Sequence, residues 1–275
     1  MTTRMTLLGA LRSELIRLRR SSLVPLHLVL ALGLGILAGW YFAATRTWDS
    51  LLGTDAFVQL LGAGAPLLAG ISCGLSVDAD REAGSCINLL GVPSRRLAIG
   101  ARLISLLLLG IVSAAVATET FAILLTSAGR QLPPLRAMAQ SVLGMGVGSV
   151  SLYLVFILAA LRWGRDASIG LGAIGAGISV VSLGGLANGL VTGTLSGILG
   201  ASVAAFVPFA WPARLASLEV ELAVAHMGER YAAALPGLVS AKSVVLGACL
   251  AVTLAFVALT LVLADRIELG GRHDG

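Results

Sequence analysis

The sequence predicts an all-α polytopic membrane protein with six transmembrane helices, an N-terminal amphipathic helix and a short cytoplasmic helix between two spans. Its 275 residues are 57% hydrophobic and only 12% charged, with a mean hydropathy of +0.95. Soluble domains carry about 25% charged residues, because their surfaces face water. Several uncharged stretches also exceed the roughly 20 apolar residues that cross a bilayer as a helix, and most basic residues lie between those stretches.

The six predicted spans follow the apolar stretches of the chain. They cover residues 23–44, 56–77, 103–126, 138–161, 167–190 and 242–263, to within a few residues. The first 22 residues resemble the basic region of a signal peptide. The apolar run that follows is longer than a cleavable core of about 7–15 residues, so we expect an uncleaved first span.

The positions of the basic residues predict the orientation of the chain. Six spans put both termini on one side, and 13 of the 19 basic residues then fall on that side against 6 opposite. Because cytoplasmic loops carry the excess of Lys and Arg, we expect both termini in the cytoplasm, with the chain in the plasma membrane. The net charge of +5 therefore reflects topology and does not indicate nucleic-acid binding.

The stretch between Asp166 and Arg214 contains no ionisable residue and is long enough for two spans. Seven spans would place 14 basic residues inside and 5 outside, so charge does not exclude that alternative. We favour one full span, then an extracytoplasmic or re-entrant segment within residues 191–241 that dips in from the outer face. Its apolar part ends at the bend VPFAWPAR, where Trp211 next to prolines is typical of an interfacial turn.

Residues 1–22 are predicted to form an interfacial segment before the first span. Within it, residues 7–18 form an amphipathic helix whose apolar side carries Leu7, Leu11, Leu15 and Leu18. Such a helix lies flat on the cytoplasmic leaflet, with its arginines near anionic headgroups. The alternative is a charge cluster that only sets topology, and the two readings are compatible.

Glycines at every fourth position predict close packing between helices. Small residues in such a row share one helix face and let backbones approach each other in lipid. The row consists of Gly185, Gly189, Gly193 and Gly197. The second span repeats the spacing at Gly70 and Gly74.

Catalytic motifs are absent from the sequence. A P-loop needs G-x-x-x-x-G-K-[ST], whereas the single lysine, Lys242, stands in LPGLVSAKS without the motif glycines. The three histidines form no H-E-x-x-H pattern, and the three cysteines lack metal-ligand spacing. We therefore expect no enzyme activity in this chain and no metal or cofactor of its own.

The loop after the second span, residues 78–96, is the most densely charged stretch outside the N-terminus. Its segment DREAGSCINLL contains enough helix formers for a short amphipathic helix, with Ile87, Leu89 and Leu90 on the later part. Pro93 then ends the helix. A helix of this kind is suited to dock in a groove of a partner protein, and the alternative is an ordinary charged loop.

The segment DREAGSCINLLGVPSRR, with an arginine six residues later that leads into a long apolar helix, resembles the corresponding loop of ABC-2-type permeases. It is most similar to the lantibiotic self-protection (immunity) permeases of Gram-positive bacteria, which read E-x-E-x-G-x-x-x-N-L-L and then a serine-arginine pair. Asp80 stands in place of the usual first glutamate and keeps the charge. The resemblance implies a coupling helix that docks on an ATPase through Asp80, Arg81, Glu82, Gly84, Asn88, Leu89, Leu90, Ser94 and Arg95.

By the same resemblance, residues 1–275 form one ABC-2-type transmembrane domain. Its implied partners are a separate ABC ATPase subunit that binds ATP and Mg²⁺, a second permease subunit, identical or paralogous, and membrane lipid. The implied function is outward export of an amphipathic antimicrobial peptide, which protects the producer and gives antibiotic resistance. The alternatives are an exporter of another drug or lipid and, in a different class, a stand-alone secondary transporter with inverted repeats.

Glu119 is the acidic residue within the predicted third span. A central carboxylate costs roughly 2.5–3.5 kcal/mol to insert, and the surrounding Leu, Ile, Val and Phe residues offset that cost. Acids within a membrane usually face the bundle interior or a water-filled cavity. We therefore predict that Glu119 lies on the translocation path, and the alternative is a hydrogen bond that packs two helices together.

Overall fold

The computed structural model describes residues 5–84, 86, 89, 91–182, 186–195 and 206–264, and the regular secondary structure of these residues consists of helices. In chain order the helices are α1 (Leu7–Arg19), α2 (Leu23–Ala44), α3 (Ser50–Gly84), α4 (Arg95–Ser127), α5 (Leu135–Trp163), α6 (Arg165–Ser182), α7 (Leu186–Thr192), α8 (Trp211–Met227), α9 (Glu229–Ala232) and α10 (Leu235–Ala264). A 3₁₀ turn, Pro208–Ala210, leads directly into α8. Within this part of the chain, α2, α3, α4, α5 and α10 are long and apolar enough to cross a membrane.

The predicted all-α membrane class is confirmed by these five helices. α2 coincides with the predicted first span, and the other four are longer than the spans predicted for them. In α3 and α4 the extra turns include charged residues at the helix ends, which continue the helix outside the apolar stretch. Ser94 starts α4, because its hydroxyl accepts a hydrogen bond from the Leu97 amide at 3.4 Å.

The predicted span at 167–190 corresponds to two helices. α6 ends at Ser182 and α7 begins at Leu186, with residues 183–185 outside the described part of the chain. At 18 residues, α6 is about 27 Å long, slightly shorter than the roughly 30 Å of a hydrocarbon core. The described residues of the predicted span, 167–182 and 186–190, are therefore helical, and the link between the two helices lies outside the described part of the chain.

α3 and α6 pack antiparallel with their backbones in contact. A Cβ atom added at Gly70 would lie 2.6 Å from the carbonyl oxygen of Ser168, and one at Gly172 would lie 2.8 Å from that of Pro66. The Ser168 hydroxyl also donates to the Gly70 carbonyl at 2.9 Å. Gly70 thus has the packing role predicted from its spacing, because any side chain there would separate the two helices.

α8 begins deep in the bundle, against the middle of two long helices. Gly148 lies at the middle of α5, and a Cβ atom there would lie 2.6 Å from the nitrogen of Pro212. A Cβ atom at Gly62 of α3 would lie 2.4 Å from the Cα atom of Ala213. Trp211 is only 1% exposed. The interfacial turn predicted at Trp211 is therefore wrong, because glycines of two spans admit this bend to the bundle interior.

The middle of α8 lies beside the first turns of α3 and of α10. Ser217 donates to Asp55, in the second turn of α3, at 2.6 Å. Glu219 pairs at 2.6 Å with Lys242, in the third turn of α10. Both helices begin on the side that the arginine distribution predicts to be extracytoplasmic. α8 therefore runs from the bundle interior towards that side.

The predicted glycine row does not continue along one helix. Gly189 lies buried in α7, but α7 ends one residue before Gly193, which has a φ of 68°. That left-handed conformation suits glycine at a helix end, and the Gly193 carbonyl accepts a hydrogen bond from the Tyr231 hydroxyl at 3.3 Å. Gly193 therefore turns the chain and does not form a packing face. Gly185 and Gly197 lie outside the described residues.

The close approach of α3 to α8 provides a test with a matched control. Gly62→Ala should lower the melting temperature in detergent, because the new methyl group meets backbone atoms and overpacking costs about 1–3 kcal/mol. Gly64, on the same helix, has no neighbour within 4 Å of an added Cβ. Gly64→Ala should be neutral or stabilising, since alanine favours a helix by about 1 kcal/mol over glycine. Equal melting temperatures, measured by size-exclusion chromatography after heating, would contradict the position of α8.

Candidate functional site

The end of α3 at Gly84 extends beyond the part of the helix that spans the membrane, and we call it the cytoplasmic end after the side that the arginine distribution predicts. With 35 residues, α3 is about 52 Å long, which far exceeds the roughly 30 Å of a hydrocarbon core. The predicted coupling positions from Asp80 to Gly84 are the last residues of this helix. The prediction that a separate short helix starts at Asp80 is therefore wrong, because DREAG continues the span without a break.

Four charged side chains, which we call the cytoplasmic tetrad, meet where α1, α3 and α4 come together. The tetrad consists of Glu14, Arg17, Asp80 and Arg102. Arg102 is 0% exposed, and its Nε and Nη2 atoms each donate to the Glu14 carboxylate at 2.9 Å. Its Nη1 atom pairs with Asp80 Oδ2 at 2.6 Å. Carboxylates from two different helices thus compensate the charge of one buried arginine.

Arg17 closes the tetrad on its more exposed side. It pairs with Glu14 at 2.9 Å and with Asp80 at 3.2 Å, and it donates to the Ser76 hydroxyl at 2.8 Å. Burial lowers the pKa of the Arg17 guanidinium and Arg102 adds to that effect, while the two carboxylates oppose it. Because a guanidinium stays protonated in proteins, the tetrad holds two cations and two anions and has no net charge.

Two neighbouring residues connect α3 to two further helices. Arg81 donates to the carbonyls of Ala160 and Leu161, at 3.1 and 2.7 Å, in the last turn of α5. A cation is favoured there by the exposed carbonyls of the helix end. Asp78 pairs at 2.7 Å with Arg165, the first residue of α6. Asp78, Asp80 and Arg81 together therefore contact α1, α4, α5 and α6.

The predicted docking residues separate into a buried and an accessible group. Asp80 is 3% exposed and Leu89 is 0% exposed, and Arg81 is occupied by α5. A partner protein cannot touch Asp80 or Leu89 in this arrangement. The prediction that these two side chains dock directly on a partner is therefore wrong, and both instead make contacts inside the protein. The exposed or partly exposed members are Glu82, Gly84, Ser94 and Arg95. The members outside the described residues are Asn88 and Leu90.

After α3 the chain turns back beneath the bundle. Gly84 has a φ of 153° and Cys86 a φ of 60°, and the Cys86 amide donates to the Asp80 carbonyl at 3.0 Å. Glycine reaches such positive values without steric cost. The side chains of Cys86 and Leu89 then enter an apolar cluster that includes Leu18 of α1. Burial raises the pKa of the Cys86 thiol, which keeps this side chain a neutral packing group.

A second buried polar group, the outer cluster, joins α3 to α8. It consists of Asp55, Gln59, Ser217 and Glu221. The Ser217 hydroxyl donates to Asp55 Oδ1 at 2.6 Å, and Gln59 Nε2 donates to Oδ2 at 2.8 Å. Asp55 and Glu221 are both buried, at 5% and 0% exposed.

Glu119 is far from the tetrad and has a different environment. It is exposed on α4 and lines a cleft of about 510 Å³ near the outer end of the bundle. Along α4, 17 residues separate it from Arg102, which corresponds to about 26 Å. Within the described part of the chain it makes no hydrogen bond or ion pair. The alternative of a helix-packing hydrogen bond is therefore not found there, and Glu119 faces the cleft.

Five long apolar helices in the described part of the chain define a multi-pass membrane protein. The family model of the ABC-2 family transporter proteins matches residues 10–179, well over half of the chain. The chain therefore belongs to the ABC-2 transporter family, whose members are transmembrane transport components that associate with an ABC ATPase. The matched region contains the whole cytoplasmic tetrad and ends within α6. None of the curated proteins matches the chain.

Only part of the tetrad could be predicted from the sequence. Glu14 falls between Ala10 and Leu18 at a spacing of four residues, and these three positions form the buried face of α1. An acid on a periodic face of this kind signals a buried partner of opposite charge. Arg102 carries no comparable signal, because an arginine before an apolar span indicates topology alone.

Removal of the Arg102 charge tests the tetrad. Arg102→Met should lower the melting temperature by roughly 10 °C, because loss of one partner from a buried ion pair costs about 3–5 kcal/mol. Arg19→Met removes the same charge from an exposed position of α1 and should leave the melting temperature unchanged. Both variants are compared with the wild type in the same detergent. If Arg102→Met and Arg19→Met have the same melting temperature, the tetrad does not stabilise the bundle.

Proposed function

We propose that this chain is the permease subunit of an ABC exporter that moves an amphipathic antimicrobial peptide out of the membrane and thereby protects the producing cell. Two permease subunits would enclose the pathway, and two copies of a separate ATPase would bind ATP and Mg²⁺ beneath them. Family membership supports the transport role and the ATPase partner. Resemblance of the loop at residues 80–95 to lantibiotic self-protection permeases supports the peptide substrate and a role in antibiotic resistance.

The observation that carries this proposal is the α3 tip, residues 82–84, which is exposed directly after the internal contacts of Asp78, Asp80 and Arg81. A displacement of the tip acts on these three residues, since they belong to the same helix. Breaking a buried ion pair is strongly unfavourable, so α1, α4, α5 and α6 would follow the tip. Movement of an ATPase bound at the tip would in this way change the positions of these four helices in the bundle.

The alternative substrates of an ABC-2 exporter, other drugs or lipids, fit the same coupling geometry. A stand-alone secondary transporter is less well supported, because such proteins bind their ions at the membrane midplane. The buried carboxylates of the described residues instead lie towards the two ends of α3, in the tetrad and the outer cluster. We retain Glu119 as a contact at the outer end of the translocation path, because it faces a cleft there.

We further propose that α6 is a sixth crossing, which places both termini in the cytoplasm. α6 starts beside Asp78 at the cytoplasmic end of α3. It then runs antiparallel to α3, and Gly175 packs against Phe209, next to the deep end of α8. α7 continues on the outer side, where Gly193 accepts a hydrogen bond from Tyr231. This path leads from the cytoplasmic end of the bundle to the outer end.

Reporter fusions test this topology. A fluorescent reporter that matures only in the cytoplasm should be bright at each terminus, because six crossings return the chain to its starting side. The same reporter inserted at Gly228, between α8 and α9, should stay dark. A bright N-terminal fusion with a dark C-terminal fusion would instead support an odd number of crossings.

Charge reversal at the α3 tip tests ATPase docking. Glu82→Arg should greatly reduce co-purification of the ATPase and substrate-stimulated ATP hydrolysis, because removal of an interface anchor commonly costs 2 kcal/mol or more and like charges add repulsion. At about 1.4 kcal/mol per decade, this corresponds to well over a tenfold loss of affinity. Glu229→Arg makes the same change at an exposed position on the outer side and should have no effect.

The melting temperature of each variant must be measured together with its binding to the ATPase. Leu89→Ala is expected to lower the melting temperature, since Leu89 is fully buried and such truncations cost about 2–5 kcal/mol. Glu82 is exposed, so Glu82→Arg should have the same melting temperature as the wild type. Full recovery of the ATPase by a stable Glu82→Arg permease would remove the tip from the mechanism. ATP hydrolysis by the permease alone would overturn the assignment of a separate ATPase.

A further inference from the structure

The cleft beside Glu119 combines one charge with an apolar wall. It lies between the outer end of α4, the turn that follows and the start of α5, and its volume is about 510 Å³. The wall includes the side chains of Ile123, Leu132, Leu135 and Met138. Glu119 is the charged residue of this lining. A ligand that fills the cleft would therefore contact a carboxylate at one point and apolar groups elsewhere.

The cleft lies close to the outer boundary of the hydrocarbon core. Arg96, exposed at the cytoplasmic start of α4, and Glu119 are 119 − 96 = 23 residues apart, or about 35 Å along the helix. A hydrocarbon core is about 30 Å thick. Glu119 is therefore at the level where outer headgroups meet acyl chains. The same level holds Ile123 and Leu135, which are 65% and 71% exposed.

The charge of the cleft selects among ligands. Glu119 makes no ion pair within the described residues, and the exposed Arg136 in the first turn of α5 is not part of the lining. A carboxylate at the edge of an apolar region gains most from a cationic partner, since a charge-assisted hydrogen bond is about twice as strong as a neutral one. An anionic ligand would be repelled, and a neutral one would leave the carboxylate without a counter-charge.

We propose that this cleft binds the cationic group of an amphiphile, and that a cationic amphiphile is the class of substrate that the permease releases to the outer leaflet. The cationic group would pair with Glu119, and the apolar body would cover Ile123 and Leu135. This inference rests on the export function proposed above. It adds the charge of the substrate and the last contact before release.

The test is direct binding to the purified permease without an ATPase, in micelles of a neutral sugar detergent. The probe is a fluorescent long-chain alkylammonium, and its neutral N-acetylated analogue is the matched ligand. We expect the wild type to bind the cationic probe more tightly than the neutral one. Glu119→Gln should weaken binding of the cationic probe about tenfold and remove this preference, whereas Glu119→Asp should keep it.

Two further variants separate the charge from the wall and from general effects. Ile123→Asn should weaken binding of both probes, because it removes apolar contact without a change in charge. Glu229→Gln removes an exposed carboxylate from α9, outside the cleft, and should alter neither. All variants must elute as the wild type does from size-exclusion chromatography, which shows that they are folded.

The outcomes are distinct from those of the docking test. Equal binding of both probes to the wild type, or an unchanged preference in Glu119→Gln, would overturn the proposal. Displacement of the probe by phosphatidylethanolamine, but not by a cationic amphipathic peptide, would make the cleft a lipid site and would also overturn it. Because no ATPase is present, a failure of Glu82→Arg to affect docking leaves this result unchanged, and the two proposals can fail separately.

Discussion

The burial of the Arg102 guanidinium constrains the cytoplasmic half of the molecule. This side chain has no contact with solvent, and a buried charge is tolerated only with well-placed partners. Its partners come from two elements, Glu14 of α1 and Asp80 of α3, at distances of 2.6 to 2.9 Å. α1, α3 and α4 must therefore keep one relative position. The interfacial helix is thus part of the bundle, although Leu8 and Ile16, 78% and 54% exposed, remain available to lipid.

α3 extends this constraint to the other side of the membrane. Asp55 of the outer cluster and Asp80 of the tetrad are 80 − 55 = 25 residues apart on one helix, which corresponds to about 38 Å. Pro66 lies between them, where a missing amide and a bulky ring weaken the helix. α3 contacts α1, α4, α5 and α6 at its cytoplasmic end and α8 at its outer end. A single element therefore connects the candidate docking tip to α8.

The sequence was sufficient to predict the elements that depend on hydropathy. It was insufficient to predict the roles of residues that depend on contacts with other helices. Five predicted spans correspond to described helices, because about 20 apolar residues in lipid must form a helix to satisfy their backbone. The role of Asp80 could not be predicted, since a charge near the end of a span serves a partner protein or a neighbouring helix equally well. The position of Trp211 was predicted wrongly for a related reason. Tryptophan beside proline is typical of interfaces, whereas glycines at 62 and 148 on other helices let the start of α8 approach their backbones inside the bundle.

The two polar groups on α3 differ in how much they resist separation. Opening the tetrad would leave Arg102 buried without a counter-charge, at a cost of about 3–5 kcal/mol. In the outer cluster, the hydrogen bond from Ser217 to Asp55 connects α8 to α3, and such a bond contributes about 0.5–1.5 kcal/mol, or up to about 3 where a group is charged. The contact between α3 and α8 is therefore the easier one to change. We expect a displacement of the α3 tip to move the tetrad helices as one body and to be absorbed where α3 meets α8, on the side where a substrate would leave.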